Sequence, residues 1–123
     1  MVQTFEDVRS VANALGWGCE YAQTLGDDIC VDIYRDSPAG CELYFAYDVK
    51  SPADMAAEVR TDADFEFDVI EYIDAVLERE GNQLTKLEAI SDAASVLALL
   101  RELADYLESW RGDSTWMISQ ESV

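Results

Sequence analysis

Six carboxylates fall within the thirteen residues from Asp62 to Asp74, DADFEFDVIEYID, with no Lys or Arg among them. Carboxylates at this density can ligate hard cations, pass protons or meet a cationic surface, and each use demands its own spacing. Asp62, Asp64, Glu66 and Asp68 alternate as the ligands of a calcium loop do. The sixth position of such a loop needs a glycine for its turn and here holds Phe67; the twelfth needs a bidentate Glu and here holds Ile73. Acid–base catalysis wants one carboxyl in a cleft beside a polar or metal partner. The chain has no His, no nucleophile motif and no phosphate-binding glycine loop, so it is not read as an enzyme. Cys19, Cys30 and Cys41 recur every eleven residues, but without His or a CxxC they make no zinc set. Three thiols cannot all pair within one chain, and they read as reduced core residues. No metal and no other cofactor is expected.

Two periods compete in the acidic stretch. The first half alternates like a strand, whereas from Asp68 the acids fall at helical intervals. On a helical wheel Asp64, Asp68, Glu71, Asp74 and Glu78 lie within an arc of about 120°. Phe65, Val69, Tyr72, Ile73, Val76 and Leu77 occupy the opposite side. A helix from about Asp64 to Glu80 accounts for most of these positions and leaves Glu66 on the apolar side. Such a helix lines up like charges at i, i+3 and i, i+4, which is unfavourable in isolation, with only Arg79 close by.

The elements that must carry this row follow from caps and periodicity. Thr4 caps a helix FEDVRSVANAL whose apolar face is Phe5, Val8, Val11, Ala12 and Leu15, with Gly16 past its end. Alternation then takes over in Trp17, Cys19, Tyr21, in Ile29, Val31, Ile33, and in Cys41, Leu43, Phe45, Tyr47. TLGDD and RDSPAG make the connections, so the three strands form an antiparallel meander whose outer face carries Glu20, Asp32, Glu42 and Asp48. Ser51, Pro52 and Asp54 start a short helix ending near Arg60. Thr85 and Glu88 form a capping box for a helical region with a Leu87, Ile90, Ala94, Leu97, Leu100, Leu103, Leu107 stripe, which Ser91 and Asp92 divide in two. The order of elements predicts an α+β fold: an N-terminal helix, a three-stranded antiparallel sheet, then three to four helices packed on one face. One domain spans residues 1–112, and residues 113–123 read as a loosely ordered tail.

The 123 residues carry 26 acids against 8 bases, a net charge of −18, yet half are hydrophobic, so the chain has the means to bury a core. Ten of the acids fall between Asp54 and Glu80 against Arg60 and Arg79 alone. A charge of this sign excludes simple attraction to nucleic acid or to anionic lipid and points to a basic partner. No signal segment or membrane span is legible, and a cytoplasmic location is expected. A globule of this length is about 35 Å across, and duplex DNA of that length carries about 20 phosphate charges.

In size, charge and acidic rows the chain resembles the DNA-mimic inhibitors of phages and mobile elements, the small anti-restriction and anti-CRISPR proteins. That resemblance implies a stoichiometric inhibitor that blocks the DNA-binding surface of a CRISPR-Cas effector or restriction complex. Its contacts would be Asp64, Asp68, Glu71, Asp74 and Glu78 on the helix and Asp32, Glu42 and Asp48 on the sheet. Trp110, Trp116 and Tyr34 are the candidate aromatic anchors. An immunity protein for a nuclease toxin would use the same electrostatics, and a structural or regulatory domain with a solvated acidic surface is the alternative of another class.

Overall fold

A computed structural model describes residues 1–111. Helix α1 (Phe5–Ala14) is held at its start by a capping box in which the Thr4 hydroxyl accepts from the Asp7 amide and the Asp7 carboxylate accepts from the Thr4 amide. Its C-terminus closes on Gly16, whose φ of +91° is the left-handed conformation that favours glycine; Arg35 passes over this turn and donates to the Leu15 carbonyl at 3.0 Å. Strands β1 (Gly18–Gln23), β2 (Ile29–Asp36) and β3 (Glu42–Val49) form the antiparallel sheet in the order β1-β2-β3. Helices α2 (Pro52–Thr61), α3 (Val69–Glu78) and α4 (Lys86–Ser109) follow. The α+β architecture expected from the sequence is the one present, with its helices on one face of the sheet.

The inner face of the sheet supplies Cys19, Val31, Ile33, Leu43, Tyr47 and Val49 to the core, where they meet Val8, Val11 and Ala12 of α1, Met55 and Val59 of α2, and Leu100, Leu103 and Leu107 of α4. The outer face has no element over it in the described chain. Gly18 sits directly opposite Tyr34 in the ladder, and a Cβ built at Gly18 would lie 2.2 Å from the Tyr34 ring, so the glycine provides the bed on which that ring lies. Gly18→Ala is therefore expected to lift Tyr34 off the strand into solvent at a stability cost of about 1 kcal/mol. A change in the Tyr34 ring resonances with the fold intact would show it; unchanged resonances would contradict it.

Three local expectations need correction. The helix expected from Asp64 begins instead at Val69: α2 runs into a π-helical turn, Asp62–Glu66, and the chain is then extended at Phe67 and Asp68 before α3 starts. Asp68 stops helix from passing through because its side chain caps α3 by accepting from the Glu71 amide. Phe65 consequently does not join the apolar face and is 84% exposed. Second, α4 is continuous through Ser91 and Asp92. Ser91 points to solvent and Asp92 points inward to donors on other elements, so neither competes for the helix backbone. Third, the buried stripe of α4 is Ala89, Ala93, Val96, Leu100, Leu103 and Leu107, while Leu87 is 79% exposed and Ile90 and Ala94 are exposed too. The tail from residue 113 lies outside the described residues.

Candidate protein-interaction surface

Alternation along the strands sorts the outer sheet face from the core. Glu20, Asp32, Asp36, Glu42 and Asp48 project outward, accompanied by Cys30, Tyr34 and Tyr44, and the strands place no Lys or Arg among them. Two pairs of acids are directly opposed across neighbouring strands, Glu20 with Asp32 and Asp36 with Glu42. Directly opposed like charges destabilise a sheet by a few tenths to about 1 kcal/mol per pair. None of the five has an ion-pair partner within 4.0 Å among the described residues. Arg9 and Arg35 border the face: Arg9 lines a shallow hollow with Glu20 and Asp32 but is paired with Glu6 at 3.3 Å and stacked on Tyr21, and Arg35 lines another with Asp36 and Glu42 but donates to the Asp36 and Leu15 carbonyls at 3.2 and 3.0 Å.

Tyrosines occupy the remainder of this face. Tyr34 and Tyr44 are cross-strand neighbours, Tyr44 being 63% exposed. The Asp32 carboxylate interacting with the Tyr44 hydroxyl raises the Tyr44 pKa. Cys30 is half-buried here, with Sγ 3.6 Å from an Asp32 carboxylate oxygen; burial and then the charge of Asp32 push its thiol pKa up. The expectation of three core thiols holds for Cys19 and Cys41, which are buried, and fails for Cys30 because it shares the outward parity of Asp32. Burial raises the Cys19 thiol to about 11.

The second acidic surface is the outward side of α3. Asp68, Glu71, Asp74 and Glu78 are all exposed and have no ion pair among the described residues. Asp64 is set apart from them. It lies in the π-helical turn, 3.8 Å from Arg60 and 3.9 Å from Arg101, inside a network in which Arg60 also bonds Glu108 at 2.8 Å and Asp105. Glu108 and then Asp105 raise the Arg60 pKa further. Asp64 thus pins α2 and the turn to α4, and the row proposed from the wheel is the four residues of α3 and its cap. Glu66, the position a continuous helix explained least well, belongs to the turn, where the neighbouring Asp62 raises its pKa; Asp62 accepts from the Tyr47 hydroxyl.

Of the aromatic candidates, Trp110 is 7% exposed, part of the core, with its carbonyl accepting from the N-terminal ammonium of Met1 at 2.7 Å, so it does not serve as an exposed anchor. Trp116 lies outside the described residues. Tyr34 remains on the surface, and its neighbour Tyr44, missed in the sequence, was marked by sharing the parity of Glu42 in β3. Among the described residues no three His, Cys, Asp or Glu side chains converge as a metal set, and no helix is long and apolar enough to cross a membrane. No family model, curated protein or solved structure matches the chain.

Proposed function

We propose that the protein is a cytoplasmic, stoichiometric inhibitor that presents its carboxylates to the nucleic-acid-binding surface of a CRISPR-Cas effector or restriction complex. The observation that carries this reading is the outer sheet face: five acids with no ion-pair partner among the described residues, two pairs of them directly opposed, on a surface that no described element covers. Packing does not require them, since any polar residue would serve the solvent side of a strand, and the opposed pairs cost stability. A cationic partner relieves that repulsion on binding. Its Lys and Arg, already arranged for phosphates, gain steering and charge-assisted hydrogen bonds. The α3 row adds a second set of carboxylates on a rigid helix, and the exposed tyrosines give the sheet face contact area that charge alone lacks.

The experiment is a gel-shift titration of purified Cas effectors and restriction complexes, each with its own DNA, at about 50 mM salt. DNA binding by at least one of them falls to near zero at one equivalent of the folded protein. Retention of DNA by every member at several equivalents would contradict the reading. A dedicated nuclease toxin that is neutralised while all effectors keep their DNA would instead make the chain an immunity protein.

A further inference from the structure

Between β3 and the beginning of α3 lies an apolar groove of about 310 Å³, lined by Phe45, Phe67, Tyr72 and Ala75 and rimmed by Asp62, Glu66, Asp68 and Glu71. The Phe67 and Tyr72 rings are 5.6 Å apart and tilted by 48°. The extended link at Phe67 and Asp68 creates the groove, because a helix running through would have filled it. We infer that this groove receives an arginine side chain of the protein partner, its guanidinium against the aromatic wall and its N–H groups directed to the rim carboxylates. The inference rests on the proposed reading of a basic partner and names the chemical group that the partner inserts.

Charge complementarity selects the occupant. No Lys or Arg lines the groove, and Arg60 and Arg101, the bases that pair with Asp64 of the adjoining turn, are directed to Asp64, Asp105 and Glu108. An anion is disfavoured by four carboxylates and by the Asp68 cap, which takes the Glu71 amide at the helix start. The interaction with the neighbouring Asp62 carboxyl, then burial and the charges of Asp62 and Glu58, hold the Glu66 carboxyl above its ordinary range, so a cation placed beside it is favoured. Arginine fits better than lysine: its planar, weakly hydrated guanidinium stacks on aromatic faces and offers a fork of donors to two carboxylates, whereas an ammonium is a strongly hydrated point charge. The volume, at the lower end for small-molecule pockets, admits one long side chain with room to spare.

The test is NMR titration of the whole protein with three probes, N-acetyl-arginine methylamide, its lysine counterpart and its uncharged citrulline counterpart. Arginine shifts the ring resonances of Phe45, Phe67 and Tyr72, lysine binds several-fold more weakly, and citrulline leaves the rings unmoved. Glu66→Gln with Glu71→Gln reduces the apparent arginine affinity by roughly tenfold or more, while Asp74→Asn with Glu78→Gln, outside the groove, retains it. Phe67→Leu keeps the apolar volume and removes the preference for arginine over lysine. Arginine shifts spread evenly over all carboxylates, equal citrulline binding, or survival of the effect in the Glu66/Glu71 variant would each overturn the inference. Inhibition of DNA binding by a protein whose groove ignores arginine rejects the groove and leaves the inhibitor reading standing. Arginine uptake by a protein that blocks no effector supports the groove and removes the inhibitor reading.

Discussion

Asp92→Ala is expected to destabilise the protein by roughly 3–5 kcal/mol, measured as a lower urea midpoint at unchanged m-value. Asp92 is 3% exposed, and its carboxylate accepts from the Ser37 hydroxyl and the Tyr72 hydroxyl at 2.7 Å each and from the Ala39 amide at 2.9 Å. One side chain of α4 thereby ties the β2–β3 connection and α3 to the helix on which both rest. Alanine would leave the buried Ser37 hydroxyl and the half-buried Tyr72 hydroxyl facing a void. Asp92→Asn keeps one acceptor and is expected to lose about half as much. Burial alone would raise the Asp92 pKa, but the hydrogen bonds from Tyr72, Ser37 and Ala39 outweigh it and hold the carboxyl below its ordinary range. A depressed folded value gives a contribution that is complete above about pH 4 and vanishes as the pH falls through that lower value. The wild type therefore loses more stability on acidification below about pH 4 than Asp92→Ala does. A loss smaller than about 1 kcal/mol for alanine would mean that water replaces the carboxylate at no cost.

Neutralising the outer sheet face is expected to separate stability from binding. Glu20→Gln, Asp32→Asn, Glu42→Gln and Asp48→Asn together remove charge from both opposed pairs, so the thermal midpoint is expected to rise or hold. The same variant should associate with the basic partner about 10- to 100-fold more slowly at low salt, with the difference closing as salt is added, because steering depends on the summed field and is screened over about 10 Å at 0.1 M. The matching α3 variant, Asp68→Asn, Glu71→Gln, Asp74→Asn and Glu78→Gln, retains a competent cap at residue 68 and so tests the helix row without unwinding it. Whichever set slows association more identifies the surface that meets the partner first. Equal rates for both variants and the wild type would leave the acids as a solvated surface.

What the sequence disclosed, it disclosed through local rules. Thr4 with Asp7, Ser51 with Pro52 and Asp54, and Thr85 with Glu88 each mark a helix start within four residues, and each does so in the structure. Strand parity placed Glu20, Asp32, Glu42 and Asp48 on one face for the same reason, since a period of two needs no tertiary information. The beginning of α3 was hidden because Asp68 suits both an exposed helical position and an N-cap, and only the packing of Phe67 beside Tyr72 favours the second. On α4 two stripes compete, one through Leu87, Ile90 and Ala94 and one through Ala89, Ala93 and Val96. Hydrophobicity favours the first, but the small side chains of the second let α3 and the β2–β3 connection approach closely enough for Asp92 to bond them. Asp92 itself could not be read as buried, because its three donors lie 20 to 55 residues away in sequence. The groove at Phe67 depends on the same extended link and was equally out of reach.

The central claim, that carboxylates occupy the place of phosphates, is tested most directly by competition on one effector. The affinity of the labelled protein for that effector is measured by fluorescence anisotropy at increasing concentrations of unlabelled duplex DNA. Mutually exclusive binding predicts an apparent Kd that rises linearly with free DNA, with the DNA and the protein never found in one complex. An apparent Kd that stays constant, with the protein, the effector and the DNA migrating together, would contradict it.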